Sequence, residues 1–358
     1  MTSIGQYRIA PQGLGLMGLT WVPAAERVSD EQAFEVIKTA IDAASPDRLL
    51  LNTGTFYGSL ADSLYANLQL LRRFFTKYPE LKDKVVVNVK GGVNIPEFQE
   101  KGWAGFRLSA KVEDLREDLL ALRKELGTDE GGVPVHVYEM CRRDQSTPME
   151  QTIKNLNQLR KEGLFEYIAL SEVGADSIEK GVKTAKEEGT EIVSVEVEYS
   201  PFFLDIASNG VLDTCRSLSV PILVYSPIGR GFLGGQLKTR DDLAPNDPRR
   251  HQDQFSEENF PKNVKVAEAF TQLAKDHSPP VTPAQLALAW AASQSTEGCA
   301  LISIPGSSKP ERVKENMAAT KIQLSEDEIE KLKSTFASLG VSGERYAAHA
   351  RNNGSLFA

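Results

Sequence analysis

Short, nearly continuous apolar runs alternate along this chain with longer stretches in which apolar positions recur every third or fourth residue. The short runs, at residues 12–16, 49–52, 85–90, 135–140, 167–170, 192–199, 222–226 and 301–304, predict strands. The longer ones, at 30–43, 62–78, 111–126, 149–162, 177–188, 210–218, 262–277 and 310–318, predict helices. Parallel strands need crossover helices, so this alternation predicts an α/β fold with a parallel sheet sheathed in helices. Eight such units in 358 residues favour a closed (β/α)8 (TIM) barrel, one domain over residues 1–358, above an open doubly wound sheet. Two helical patterns, 283–294 and 325–338, read as additions to the barrel. The stretch 228–261, after the seventh strand, is long, polar and rich in Pro, Asp and Gly, which marks a functional lid or a disordered segment.

Composition narrows the function. With 41% hydrophobic and 25% charged residues the chain can bury a large core. A net charge of -8 and a pI of ≈ 5.3 turn attention away from nucleic acid and anionic membranes as main partners. No apolar run is long enough for a membrane span and no secretory signal pattern opens the chain, so a cytoplasmic protein is expected. Cys141, Cys215 and Cys299 are odd in number and widely spaced, as suits a reducing compartment. Four histidines without paired spacing argue against a zinc site.

Gly13-Leu14-Gly15-Leu16-Met17-Gly18 satisfies G-x-G-x-x-G. That motif holds a dinucleotide only where a helix begins at the loop and turns its N-terminus to the pyrophosphate. Here Leu19-Thr20-Trp21-Val22-Pro23 follows and the next helical pattern starts near Asp30, which predicts a tight strand-to-loop turn instead. A second candidate lies late, in LISIPGSSKPERVKENM (301–317). An apolar strand runs through Pro305 and Gly306 into a helix opened by Pro310. Free backbone N–H groups, serine hydroxyls and the positive helix end suit a phosphate, with Lys309 and Arg312 close by. The alternative is an ordinary surface loop with basic residues.

A barrel places its chemistry at the C-terminal ends of its strands. Asn52 and Tyr57 follow the second strand, Lys90 ends the third, and Met140, Cys141 and Arg142 end the fourth. A lysine ammonium favours the phenolate of a neighbouring tyrosine, which makes Tyr57 a candidate proton donor to a carbonyl under reduction. The same two residues also read as a mouth lysine reaching water and a tyrosine packed in a loop.

These segments resemble the aldo-keto reductases from about residue 13 to residue 332. NTGTFYG (52–58), VKGG (89–92), LSEV (170–173), VEVEYS (195–200), VYSPIGRGFLGG (224–235) and PGSSKPERVKEN (305–316) are ordered and spaced as in that superfamily. GLGLMGLTW and the N-x-G-x-F-Y-G form are most similar to the fungal pyridoxal reductases. The resemblance implies a (β/α)8 barrel, NADPH without metal, and reduction of an aldehyde to an alcohol. It makes Tyr57 the general acid and Lys90 its pKa-lowering partner. It puts Tyr225 against the nicotinamide face and Ser171, Glu172 and Glu196 on the carboxamide. Ser226, Pro227, Gly229, Arg230, Gly231 and Leu233 would wrap the pyrophosphate, with Ile304 and Gly306 beside the cofactor. Ser307, Lys309 and Arg312 match positions for the adenosine 2′-phosphate, and Glu315 and Asn316 those for adenine. Two cations and a hydroxyl there favour NADPH over NADH, because the extra phosphate would otherwise go unpaired.

The chain departs from the superfamily pattern at several positions. Asn52 stands where an aspartate is usual and Cys141 where a histidine is usual, while His136 lies five residues earlier, at the start of its strand. Glu172 and Glu196 replace a more usual Asn and Gln, so the carboxamide contacts differ or one carboxyl is protonated. The pyridoxal reductase branch shares much of this altered pattern. Without the aspartate, Lys90 is expected to be uncompensated and to lower the Tyr57 pKa further, with Asn52 orienting the ammonium through its amide oxygen. General acid–base help is typically worth ~10²–10⁴-fold, so loss of the histidine implies a slower enzyme rather than a dead one. The phenolic hydroxyl of pyridoxal, beside its aldehyde, would supply part of the missing hydrogen bonding.

Trp21, Phe56 and Trp103 are expected at the mouth beside Cys141 and Arg142, an aromatic wall suited to a flat heteroaromatic aldehyde. Closure of a lid around residues 230–260 over NADPH would make cofactor release a slow step. The expected function is therefore NADPH-dependent reduction of pyridoxal to pyridoxine, with a small-molecule aldehyde as partner. Two rivals share the scaffold: a secondary-metabolism reductase of another aldehyde, and an NADPH-binding regulatory protein with negligible turnover.

Overall fold

The computed structural model describes residues 2–346 apart from residue 246. Eight parallel strands pair in chain order: β1 (Leu14–Gly15), β2 (Leu49–Gly54), β3 (Val85–Gly91), β4 (Val137–Met140), β5 (Tyr167–Ser171), β6 (Ile192–Glu198), β7 (Ile222–Tyr225) and β8 (Leu301–Ser303). The ring closes where Gln12 bridges Ser303 and Gly15 bridges Gly306. The early glycines serve this seam. A Cβ on Gly15 would lie 2.7 Å from the Ile304 carbonyl oxygen, and one on Gly13 would lie 2.8 Å from that of Leu50. Met17–Thr20 does form one helical turn that starts within the motif, which the sequence did not predict, but four residues make no dinucleotide-binding helix.

Side chains alternate between the two faces of each strand. Leu50, Val86, Val137, Ala169, Leu223 and Ile302 meet inside the ring as an apolar plug, closed below by Ile4 and Ile9 of the N-terminal hairpin. The outward set, including Leu49, Val87, Tyr138, Leu170 and Val195, packs under the helices. Full burial of each such aliphatic side chain contributes about 1.5–3 kcal/mol. Two residues further along the inward face the character changes: Leu50 gives way to Asn52, Val86 to Asn88, Val137 to Glu139 and Ala169 to Ser171, all buried. That step from apolar plug to polar mouth defines where chemistry is possible.

The sheath comprises α1 (Asp30–Ala44), α2 (Ala66–Lys77), α3 (Val112–Leu126), α4 (Met149–Lys161), α5 (Ala175–Glu187), α6 (Val211–Ser217), α7 (Phe260–Asp276), α8 (Pro283–Ser293), α9 (Pro310–Ala318) and α10 (Glu326–Leu339). The assignment of α7 and α8 reverses the expectation from sequence. It is α8 that lies on β8, while α7 packs on α10, with Phe270 and Phe336 ring centroids 5.6 Å apart. The reason is local: LALAWAA is apolar all round and must be enclosed, whereas α7 is apolar on one face only. The 228–261 stretch is ordered in its described part. Phe232 stacks on Phe202 at 5.2 Å and on Phe255 at 4.6 Å, and Arg240 Nε donates to the Phe255 carbonyl at 2.9 Å. Among the described residues no helix is long and apolar enough to cross a membrane.

Candidate active site

The barrel register sets Gly54 beside Lys90 and Lys90 beside Glu139. Lys90 Nζ donates to Asn52 Oδ1 at 2.8 Å, pairs with Glu196 Oε1 at 2.5 Å and lies 3.7 Å from Glu139 Oε1. Asn52 Nδ2 donates to Glu196 Oε2 and Asn88 Nδ2 to Glu139 Oε2, each at 2.6 Å. Tyr57 stands on the turn after β2, with Lys90 Nζ 5.6 Å from its ring centroid. The Thr55 N–H donates to the Lys90 carbonyl at 2.9 Å, and Thr20 Oγ1 donates to the Tyr57 carbonyl at 2.6 Å. Gly58 is required there: a Cβ would lie 1.8 Å from the Ser63 carbonyl oxygen. The structure therefore brings the three residues expected to be catalytic, Asn52, Tyr57 and Lys90, to one place.

Their electrostatics correct the sequence reading. Tyr57 is pushed up to about 12, first by burial; Lys90 pulls it down, but Glu196 and Glu139 push it up again. Lys90 is not uncompensated, because two carboxyls take over from the missing aspartate. Burial works against its charge, and Glu139, Glu196 and Tyr57 outweigh burial, so its pKa is raised. Burial, then repulsion from Glu196, pushes Glu139 up to about 8, with Lys90 opposing. Sequence reasoning missed Glu139. The available signal was a glutamate two residues after Val137, and hence on the inward face of an otherwise apolar strand.

Glu196, expected at the carboxamide, is engaged with Lys90 and Asn52 instead. Glu172 belongs to a second cluster. Its Oε1 accepts from Tyr225 Oη at 2.8 Å and from the Arg345 guanidinium. Arg345 also donates to Glu198 Oε2 at 2.7 Å and to Tyr225 Oη, and its guanidinium lies 5.6 Å over the Tyr225 ring. Burial tends to raise the Glu172 pKa, but Arg345 and Arg142 hold it below the usual carboxylate range. Ser171 Oγ and Glu172 Oε2 are buried without a hydrogen-bond partner among the described residues. Glu172, Ser226 and Arg230 hold left-handed φ of 57°, 50° and 53°, conformations costing of order 1–3 kcal/mol each that cluster at ligand sites. Glu198, Arg345 and Tyr346 escaped the sequence reading; nothing local links residue 345 to residues 172 and 198.

The remaining candidates line the same rim. Ser226, Pro227, Gly229, Gly231 and Leu233 form the turn after β7, with Gly229 at φ 54° and Gly231 at φ 104°. Arg230 in that turn is committed to Glu198 (2.7 Å), Gln252 (2.8 Å) and the Arg345 carbonyl (3.0 Å). Across the seam, Ile304 is buried and Gly306 exposed. Ser307 Oγ accepts from the Lys309 N–H at 3.1 Å, which shapes the turn into α9. Lys309 is exposed and Arg312 half-buried, and neither makes an ion pair among the described residues. Glu315 gives its carbonyl to Gln285 Nε2 at 3.1 Å, and Asn316 is buried beside it.

Aromatic rings cover Tyr57. Trp21 stacks on it at 5.5 Å, Phe56 meets it edge-on at 5.1 Å, and Trp103, 64% exposed, stacks on the far side of the cluster against Trp21 at 6.3 Å. Cys141 is buried at the end of its strand, and burial pushes its thiol up to about 12, which disfavours the thiolate. Arg142 is held at the mouth by its own bond to the Cys141 carbonyl at 2.6 Å. His136 sits below, accepting from the Val87 N–H at 3.1 Å, and burial lowers it to about 4.

The sequence profile described as "Aldo/keto reductase family" matches residues 12–336. A Schizosaccharomyces pombe protein named "Probable pyridoxal reductase 2" is 33% identical over 350 residues, covering 97% of this chain and 97% of that protein. A Gibberella moniliformis protein named "Aldo-keto reductase" is 32% identical, covering 93% of this chain and 92% of its own length. Among solved structures, a glycerol dehydrogenase of Gluconobacter oxydans superposes with a TM-score of 0.73 at 17% identity, covering 95% and 96% of the two chains, a likeness of fold. With a tyrosine and a lysine buried together at the mouth of such a barrel, and a profile spanning nearly its whole length, this chain belongs to the aldo/keto reductase family.

Proposed function

We propose that the protein uses NADPH to reduce pyridoxal to pyridoxine, with Tyr57 as proton donor. The observation that carries the reading is the buried Tyr57 phenol, held beside the Lys90 ammonium under Trp21. Two orphaned polar atoms fit the cofactor: Ser171 Oγ can donate to, and Glu172 Oε2 accept from, a nicotinamide carboxamide. Bound NADPH would supply the hydride. Lys90 steadies the phenolate left when Tyr57 gives up its proton, Asn52 orients Lys90, and Trp21 and Phe56 hold a flat aldehyde against the phenol while shielding it from water. The name of the fission-yeast relative supports pyridoxal as the aldehyde. Three free, buried cysteines fit a reducing compartment such as the cytoplasm. The test is the loss of nicotinamide absorbance on mixing protein, NADPH and pyridoxal; binding of NADPH without oxidation by any aldehyde would refute the reductase reading.

Lys309 and Arg312 stand at a helix start, make no ion pair among the described residues and suit the 2′-phosphate. Replacing both with alanine is expected to weaken NADPH about tenfold, the low end for charged hydrogen bonds at a partly exposed site, and to leave NADH unchanged. Equal losses for both cofactors would remove these residues from the phosphate site. Arg345 covers the Tyr225 face proposed for the nicotinamide, so arm and ring compete. Arg345→Ala is expected to tighten NADPH, by roughly tenfold if the arm is docked nine times in ten. Weaker binding in a fluorescence titration would mean that the arm closes on the cofactor instead.

A further inference from the structure

Glu139 has no part in the scheme above, yet it is fully buried on the inward face of β4 and shares the Lys90 ammonium with Glu196. Lys90 of β3, Glu196 of β6, Tyr57 of the turn after β2 and Cys141 of its own strand end face it. Asp118 of α3 lies on the outer face of β4, bonded to Tyr138 Oη at 2.6 Å. Within the cluster one ammonium meets two carboxyls, so full ionisation would bury an uncompensated negative charge. Glu139 Oε2 accepts from Asn88, while Oε1 has no hydrogen-bond partner among the described residues beyond its approach to Lys90.

We propose that Glu139 keeps its proton beside the Lys90–Glu196 ion pair, which keeps the Lys90 cluster neutral, and that Glu139 is thereby a positioning residue for proton donation by Tyr57. With that proton present, Lys90 retains one counter-charge and still favours the phenolate that Tyr57 becomes. Once it leaves, a second negative charge stands beside the phenol and opposes the phenolate. Burial and Glu196 put this loss at about 8, well below the ionisation of Tyr57 at about 12. The kinetic half of the proposal rests on the reductase reading; the titration itself does not.

Glu139→Gln keeps an oxygen for Asn88 and removes the titrating group. The folded pKa of Glu139 is raised, so the stability it contributes is full below the unfolded carboxyl's pKa and is lost as pH rises through about 8. The wild type is therefore expected to lose Tm relative to Glu139→Gln between about pH 5 and about pH 9. Its kcat is expected to fall over the alkaline part of that range, roughly tenfold for each pK unit by which the new charge moves the phenol, while the variant stays flat. Infrared spectra of the wild type, which need no variant to fold, should lose the carbonyl stretch of a protonated buried carboxyl over the same interval. Parallel Tm curves with unchanged spectra would overturn the Glu139 proton, and a titration without a kinetic counterpart in an active enzyme would overturn its role. If the wild type reduces no aldehyde, the reductase reading falls, and the Tm and infrared titrations still decide whether Glu139 holds that proton.

Discussion

Tyr57→Phe is expected to cut turnover with the proposed substrate, pyridoxal, about 10²–10⁴-fold while affinity for the proposed cofactor, NADPH, stays unchanged. That loss corresponds to about 3–5 kcal/mol of barrier. The ring stays in place because its position depends on Trp21 and Phe56 rather than on the hydroxyl. Only the proton is removed, so kcat should fall and cofactor binding should not. Since burial holds the phenol at about 12, it carries its proton throughout the neutral range. The proposed reaction is then poised for donation, and oxidation of the alcohol, which needs the phenolate, is expected to be slow near neutrality and to quicken as pH rises. Rates in both directions from about pH 6 to about pH 10 check this, and a variant retaining most of its activity would remove Tyr57 from the chemistry.

Lys90→Met is expected to cost stability as well as activity. The ammonium is the only cation within 4 Å of Glu139 and Glu196 among the described residues. Removing one partner of a buried pair costs about 3–5 kcal/mol, a large share of the 5–15 kcal/mol that typically holds a protein folded. Glu139, already raised to about 8 with the ammonium present, moves higher without it. A carboxyl with a raised folded pKa gives its stability below the unfolded value and loses it as pH rises, so the deficit should be smallest in acid and grow toward alkaline pH. Denaturation midpoints measured across pH test it. A uniform deficit would mean that lost packing, not exposed charge, is responsible.

Much of the fold was legible because its signals are local. Strand and helix periods, the Pro305–Pro310 turn and the glycines of 13–18 follow from neighbours a few residues apart, and all eight strands were placed to within a few residues. Reading α7 as the barrel helix failed because both helices look plausible singly; only their packing shows that α8 is the one enclosed. Asn52 and Lys90 were expected near strand ends and Tyr57 in the turn after one, where barrel chemistry belongs, and the structure brings the three together. Glu139 was passed over because facing positions on β3, β4 and β6 must be superposed before its partners appear.

The sequence by itself determined the parallel barrel, the location of its mouth and the tyrosine and lysine placed there, since alternating hydrophobicity dictates which face each strand buries. Only the tertiary structure decided the charges around them. Positions 52, 90, 139 and 196 become one cluster solely through strand register, and residue 345 reaches 172, 198 and 225 solely through the path of the C-terminal arm. Electrostatic energy depends on distances and burial in space, and neither can be read from separation along a chain.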